Sequence, residues 1–339
     1  MSKLKVISVD LAKNVFQVCG MNSRNKVVFN RTLKRNDLAS FMANQEATLV
    51  AMEACYSSHY WARLFESMGH KVNLLPAQHV SPFVQGNKSD YNDAVAIAEA
   101  SQRPNITPVP IKTVEQQDIQ CLHRLRERYV SSRTALINQA RGLLSEFGMT
   151  AAQGHKSFLK LIQEVCEPTH AGISPLLKTQ LRNVADDYYH LTDRIDEVTA
   201  TLTKVAQQQP NCKLLLTIPG IGAINATSIY SAIGNGSQFA NGREFSVWLG
   251  LTPKSKSSGE KSSSGGITKR GNRYLRTQLV HGARAALSRS KHKTDQLSQW
   301  VNQLVERRGI NKACVALASR LARIAWVLLQ RQETYKASV

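Results

Sequence analysis

The sequence predicts an α/β domain followed by a long helical arm and a mainly helical C-terminal domain, and three observations carry that expectation. Within the first 75 residues, β-rich apolar runs and helical segments alternate in the order βββαβαβ. Between Leu177 and Val205, apolar residues recur at alternating steps of four and three, which is a heptad pattern. From Leu214 to Gly234, two apolar helical segments flank Ile218-Pro219-Gly220-Ile221-Gly222, the pattern of a helix-hairpin-helix.

Taken in order, Leu4 to Val9, Val15 to Cys19 and Lys26 to Thr32 read as three strands of an antiparallel meander, with turn signals at Lys13-Asn14 and Asn22-Ser23. Asn36 or Asp37 caps a helix that runs to Asn44. A fourth strand at Thr48 to Met52, a helix at Ser58 to Met68 and a fifth strand at Lys71 to Leu75 follow. This order is that of the ribonuclease H-like fold, in which the first and fourth strands lie side by side. Asp10 ends the first predicted strand and Glu53 the fourth, so the topology makes them neighbours. Asp90 and Asp93 share one face in the first turn of the helix that begins after Ser89, its predicted cap. Each acid taken alone has an ordinary explanation, as a turn residue or as a charge that suits a helix N-terminus. Four carboxylates at one sheet edge repel one another unless cations join them, and an all-oxygen donor set suits Mg²⁺, or Mn²⁺ in its place. A pair of such ions serves phosphoryl transfer.

After the Pro-rich linker Pro104 to Pro110, Ile119, Leu122, Leu125, Tyr129, Leu136, Ala140, Leu143 and Phe147 mark a long helix. The heptads of Leu177 to Val205 then predict a coiled-coil seam whose partner is either that helix, folded back, or the same helix of another subunit. Arg124, Arg126, Arg128, Arg133 and Arg141 in the first helix are either nucleic-acid contacts or a solvated face. The predicted domains are 1–111, 112–208 and 209–339. In the last of these, the glycines of the hairpin motif permit a tight turn at which backbone N–H groups hold a DNA phosphate, so Gly220 and Gly222 are candidate contacts. Helices are expected again over Phe245 to Leu251, Arg273 to Leu287 and Lys312 to Gln330, the last forming core with Trp326.

The stretch Trp248 to Arg276, rich in Ser, Gly and Lys, separates two of these helices and carries no core of its own. Composition alone calls it a solvated linker, but small residues are also what lets backbone N–H groups and a hydroxyl approach a phosphate. Charge favours the second reading. The chain has a net charge of +20, and residues 254–308 alone carry 13 Lys and Arg against 3 Asp and Glu. Residues 112–208 are nearly balanced, at 12 against 11. A concentrated positive patch has a polyanion, DNA or RNA, as its natural partner. Lys254, Lys256, Lys261, Lys269, Arg270, Arg273 and Arg276 are the candidate phosphate contacts. The six cysteines show no C-x-x-C spacing, which speaks against a zinc site or a disulfide framework and for a reducing, cytoplasmic setting. Charges and glycines interrupt the apolar runs, so no membrane span is expected.

Together, SVDLAK with Asp10, AMEACYSSHYW with Glu53, NKSDYNDAVAIAE with Asp90 and Asp93, TIPGIG, and WLGLTPKSKSSGEKSSSGGITKRGNRYLR resemble the DEDD-type transposases of bacterial insertion sequences. That family includes Piv-like DNA invertases and recombinases guided by a bridge RNA. The resemblance spans essentially the whole chain, with the motifs in order. It implies a RuvC-like N-terminal domain binding Mg²⁺, a coiled-coil arm, and a C-terminal transposase domain carrying a nucleophilic serine. The serine matching the family's nucleophile, a few residues after Gly250-Leu251-Thr252-Pro253, is Ser258, followed by Gly259, with Ser257 beside it as the alternative. The resemblance also implies a phosphoserine intermediate, with catalytic domains contributed by different subunits of a homo-oligomer, dimer to tetramer, acting in a bacterial cytoplasm at the nucleoid. The rival readings are a RuvC-type structure-selective endonuclease using a metal-activated water, and a non-catalytic DNA-bridging protein.

Overall fold

A strand with apolar residues on both faces must be covered on both, and LKVISVD at the N-terminus has that character. In the computed structural model, which describes residues 3–258 and 261–338 but not the side chains of Lys256, Ser257, Ser258, Lys261, Ser262 and Ser264, this segment becomes the central strand of a sheet. The chain divides into two compact units, Met1–Thr113 and Val114–Val339.

The first unit contains β1 (Leu4–Asp10), β2 (Val15–Asn22), β3 (Val27–Lys34), α1 (Arg35–Ala43), β4 (Leu49–Glu53), α2 (Ser58–Ser67), β5 (Lys71–Leu75), the short α3 (Ala77–Val80) and α4 (Asp90–Ala100). The sheet order is β3-β2-β1-β4-β5, with the first three strands antiparallel and β1, β4 and β5 parallel. The expected neighbourhood of the first and fourth strands is therefore observed. On one face, Ile7, Val9, Phe16 and Val18 pack against Leu38, Met42, Trp61 and Phe65 of α1 and α2. On the other, Val6, Cys19, Met21 and Ala51 meet Ala94, Ile97 and Ala98 of α4. Gly20 is required on β2 because the ring of its cross-strand partner Phe29 occupies the space a Cβ would take.

In the second unit, α5 (Val114–Ser145) and α7 (Pro175–Gln208) pack along each other, with α6 (His155–Cys166) between them in sequence. Arg126 Nε donates to Thr199 Oγ1 at 2.8 Å and Arg133 Nη1 to Thr192 Oγ1 at 3.0 Å. These pairs are one heptad apart on each helix and run in opposite senses, so the helices are antiparallel. Leu181, Tyr188, Ile195 and Leu202, seven apart, are all buried. The partner of the heptad seam within this chain is thus the folded-back α5. Phe158, Leu161 and Val165 of α6 pack with Ile137, Leu144 and Leu181.

The remainder comprises α8 (Pro210–Leu216), α9 (Ala223–Ile233), α10 (Gly242–Trp248), β6 (Pro253–Ser258), β7 (Lys261–Ile267), α11 (Arg273–Ser288), α12 (Gln296–Arg308) and α13 (Ile310–Arg331). Several elements differ from expectation. Helices α3, α6 and α12 have no counterpart in the sequence reading, α1 begins at Arg35 without a side-chain cap in place of the expected cap at Asn36 or Asp37, and the Ser/Lys stretch forms an antiparallel ribbon of β6 and β7 in place of an irregular loop. Helix α13, 22 residues long, contains an 18-residue window of mean hydropathy 1.4, which is long and apolar enough to cross a membrane by length and composition alone. Its Leu317, Leu321, Ala325 and Leu329 lie in the unit's core, however, which accounts for that composition. All six cysteines are free.

Candidate active site

The acids of the first unit come from three elements whose positions follow from the sheet. Asp10 is the last residue of β1 and Glu53 the last of β4, and the register between these parallel strands sets Val9 opposite Met52 one residue earlier. Asp90 and Asp93 lie in the first turn of α4, where the Ser89 hydroxyl caps the helix by accepting from the Asn92 N–H at 3.3 Å. A buried serine the sequence reading passed over ties these elements together. Ser8 on β1, fully buried, donates to the Ala94 carbonyl of α4 at 2.6 Å. Its Oγ thus links the strand that ends in Asp10 to the turn that carries Asp93. A second tether runs over the sheet, since Thr32 Oγ1 donates to Gln17, Gln17 to Asn30 at 2.6 Å, and Asn30 Nδ2 to the Tyr91 carbonyl at 3.1 Å. Gln17 is the β-sheet partner of Asp10. The signal available in sequence was a lone hydroxyl inside an apolar strand, which must find a partner once buried.

Burial is the largest influence on Asp10 and raises its pKa to about 6; Asp93, Asp90 and Glu53 add repulsion in that order, and the Leu11 N–H opposes the rise. Glu53 is also raised, by burial and then by Asp93, with Lys88 acting against the rise. Lys88 is a second residue the sequence reading left out. The four acids therefore sense one another electrostatically. Among the described residues, no three His, Cys, Asp or Glu side chains are drawn into a ligating cluster. The donor chemistry nonetheless fits a hard divalent cation, because every donor is a carboxylate oxygen and the main electrostatic cost at Asp10 is one a cation removes. His59, on α2, is pushed down to about 4 by burial and then by Lys112 and Arg63, and accepts the Lys112 N–H at 3.2 Å, so it is neutral.

In the second unit, the ribbon pairs Ser255 with Ser264, Lys256 with Ser263, Ser257 with Ser262 and Ser258 with Lys261. The proposed nucleophile thus ends β6. Its side chain, and those of Ser257, Lys256 and Lys261, lie outside the described residues, as does Gly259. The root of the ribbon is held by backbone bonds. Thr268 N–H donates to the Thr252 carbonyl at 2.9 Å and Lys269 N–H to that of Gly250 at 3.1 Å. Gly250 and Gly271 both have positive φ, and a Cβ on either would strike backbone, at Arg270 and Trp248 respectively. Arg276 Nη1 reaches the carbonyls of Leu249 and Arg270, both at 2.9 Å, and so bridges the two sides of the root. Lys254, Lys269, Arg270 and Arg273 are exposed, while Arg276 is half-buried in this bracing role.

Gly220 and Gly222 occupy the turn between α8 and α9. Gly220 has φ +85, and a Cβ there would lie 2.5 Å from the Gly282 carbonyl of α11, so the turn is pressed against that helix. Gly222 is exposed, with nothing near its Cβ position, and precedes the first turn of α9. Of the arm's arginines, Arg126 and Arg133 are engaged with α7. Arg141 donates to the carbonyls of Ala152 and Gly154, and Arg124 pairs with Glu127 at 3.1 Å. Arg124 also lies over the Tyr274 ring of α11, 5.9 Å from its centroid, so their partners extend beyond the α5–α7 pair.

Comparison with known proteins bears on both parts of the chain. Residues 212–299 match a family profile described as the transposase IS116/IS110/IS902 family, and residues 7–149 match the DEDD transposase profile of IS110 elements. The chain is 44% identical over 336 residues to the transposase for insertion sequence element IS1111A of Coxiella burnetii, covering 99% of this chain and 92% of that one. It is 35% identical to the transposase for insertion sequence element IS1328 of Yersinia enterocolitica, over 97% of each chain. A more distant match, 23% identical over 80% of each, is the pilin gene-inverting protein of Moraxella bovis. With one profile over the carboxylate edge, the other over the hairpin motif and the serine ribbon, and full-length relatives alongside, the chain belongs to the IS116/IS110/IS902 family of transposases.

Proposed function

We propose that the chain is the transposase of an insertion sequence, cutting and rejoining DNA through a phosphoserine intermediate on Ser258. The observation that carries this reading is that β1, β4 and α4 deliver four carboxylates to one sheet edge, where Asp10 is held near pKa 6 by burial and by the other three. Asp10, Glu53, Asp90 and Asp93 would hold Mg²⁺, with Mn²⁺ as a substitute. When bound, the ion supplies charge stabilisation to a phosphate and lowers the pKa of an attacking oxygen.

The chain's own residues do the rest. The Ser258 hydroxyl attacks a DNA phosphorus; one P–O bond to the strand breaks as the Ser Oγ–P bond forms, the serine proton passes to solvent, and the departing strand oxygen takes up a proton to leave as a hydroxyl. A DNA hydroxyl later attacks the phosphoserine and releases Ser258, so one phosphodiester is exchanged for another without net hydrolysis. Lys254, Lys256, Lys261, Lys269, Arg270 and Arg273 hold phosphates around the ribbon, while Arg276 fixes its root. Gly220 and Gly222 place a duplex phosphate at the start of α9 in a helix-hairpin-helix. In this reading the chain divides into a ribonuclease H-like (RuvC-like) domain at 1–111, a coiled-coil arm at 112–208 and a transposase domain at 209–339. A homo-oligomer, dimer to tetramer, works on donor and target DNA with a bridge RNA in the bacterial cytoplasm, and the net charge of +20 supports both nucleic-acid partners.

The deciding experiment traps the reaction on a suicide DNA substrate and looks for a covalent protein–DNA adduct on a denaturing gel. An adduct lost in Ser258→Ala and kept in Ser257→Ala is expected. DNA cut by the wild type with no adduct would instead establish water as the nucleophile, the RuvC-type endonuclease reading. Sequencing the RNA that copurifies tests guidance: RNA encoded beside the protein's own gene is expected, and random cellular RNA would refute it.

A further inference from the structure

Beside the Pro219–Gly220 turn, a cavity of about 220 Å³ opens in the second unit. Its floor and walls are Ala285, Ala286, Leu297, Val301 and Leu317, and Tyr335 closes one side. The C-terminal segment bearing Tyr335 is pinned at two points: its N–H donates to Thr217 Oγ1 at 2.9 Å, and the Ser338 carbonyl accepts from the Gln296 N–H at 3.0 Å. The aromatic wall is thus tied to the residue that precedes the hairpin turn.

The polar groups at the mouth differ in availability. Ser290 Oγ is bonded to Asn302 at 2.7 Å, and Asp295 accepts from both the N–H and the hydroxyl of Ser298 as the cap of α12. Arg289 and Lys293 are exposed at the rim, and Lys293 is a nearby charge that helps to lower the pKa of Asp295, after the Ser298 hydrogen bonds. The site therefore combines a small apolar slot, an aromatic wall, a cationic rim and immediate contact with Gly220. A cavity of that size suits one flat heterocycle and is too small for a peptide helix. Aromatic and apolar surfaces take an unstacked base regardless of its identity, and Lys or Arg at the rim takes its phosphate.

We propose that this cavity receives one unpaired nucleotide of the bound DNA, its base between the alanine floor and Tyr335 and its phosphate on Arg289 and Lys293. The proposal rests on the reading of Pro219–Gly222 as a DNA contact, because that turn brings a strand to the mouth of the slot. It gives the second unit a preference for distorted DNA, independent of the acids of the first.

The test uses the full chain in EDTA, with fluorescence anisotropy on a DNA duplex, the same duplex with a one-nucleotide bulge, and an RNA duplex with the same bulge. The bulged DNA should bind at least tenfold more tightly than the plain duplex. Ala285→Trp, at an exposed position on the cavity wall, should abolish that preference while leaving duplex affinity unchanged. Arg289→Ala combined with Lys293→Ala should reduce it severalfold. A 2-aminopurine base at the bulge should change its fluorescence on binding wild type and not on binding Ala285→Trp. Equal affinity of the wild type for bulged and plain DNA would overturn the proposal, as would a preference that survives in folded Ala285→Trp or one shown only for the RNA bulge. Failure to bind any DNA would overturn it together with the hairpin reading beneath it.

Discussion

The carboxylate edge of the first unit hangs on a strand buried on both faces, whereas the Ser258 ribbon of the second has no apolar residue between Lys254 and Gly266 and, among the described residues, is braced at its root. Packing holds the acids at one edge in spite of their mutual repulsion. Backbone bonds and Arg276 hold the ribbon's base, while its far end carries only Ser, Lys, Gly and Glu. The difference suits the two chemical tasks proposed for them. Groups that are to bind a cation must be held together against their own charge, and a nucleophile would have to reach a phosphate that arrives with the substrate.

The largest expected effect breaks the first half of this contrast. Asp10→Asn should lower strand cleavage by about a thousandfold, the scale of losing a principal electrostatic group, while raising the melting temperature by a few degrees because the strained charge is gone. The pH dependence follows from the same residue. Asp10 is raised from 3.8 to about 6, so in that window the folded chain binds more protons than the unfolded one, and the stability Asp10 contributes is full below about 4 and lost as pH rises through about 6. Thermal melts without metal should show this loss in wild type relative to Asp10→Asn, and Mg²⁺ should reduce it. A melting point unchanged by Asp10→Asn at neutral pH would contradict the claim that the edge is strained.

Next in size, Arg276→Ala tests the ribbon's root. Adduct formation should fall by about ten- to a hundredfold, while urea unfolding changes by no more than about 2 kcal/mol, two hydrogen bonds to a charged donor at a partly exposed site. Arg276→Lys should recover little, since the lysine stem is shorter than the path to Nη1, the one atom that reaches both carbonyls. Full rescue by Lys would mean that charge, and not bracing, is what matters there. The smallest effect is expected for Ser8→Ala, which removes the side-chain donor to the Ala94 carbonyl while that carbonyl stays within α4, and should cost about 1 kcal/mol. Because α4 carries Asp90 and Asp93, Mg²⁺ affinity measured by calorimetry should weaken as well; unaltered affinity would show that the tether is structural alone.

Much of the first unit was legible because its signals are local. β-branched and aromatic runs marked β1 to β5, and the acids sat at strand ends in a topology with few alternatives. The heptads of α7 were equally plain, although they left the partner undecided between α5 and another subunit. Helix α12 was missed because QLSQWVNQLVERR offers a narrow apolar stripe amid polar residues, and burial of Leu297, Ser298 and Val301 against neighbouring helices decides it. The β6–β7 ribbon was unreadable for a related reason: Lys and Gly are poor strand formers, and Ser prefers turns. Its pairing is set by ladder bonds from Thr252 and Gly250 to Thr268 and Lys269.

By itself, then, the sequence determined which residues could do chemistry: four acids placed by strand ends and a helix cap, a serine among lysines, and glycines at a turn. Only the tertiary structure decided how they are held. The Ser8 bond to α4, the Gly220–Gly282 crossing, the antiparallel Arg–Thr pairs of the arm and the Arg276 brace all join residues far apart in the chain. Pattern and propensity describe a residue's neighbours along the chain, whereas a buried donor, a missing Cβ or a bridging guanidinium acquires its meaning from what folding brings beside it.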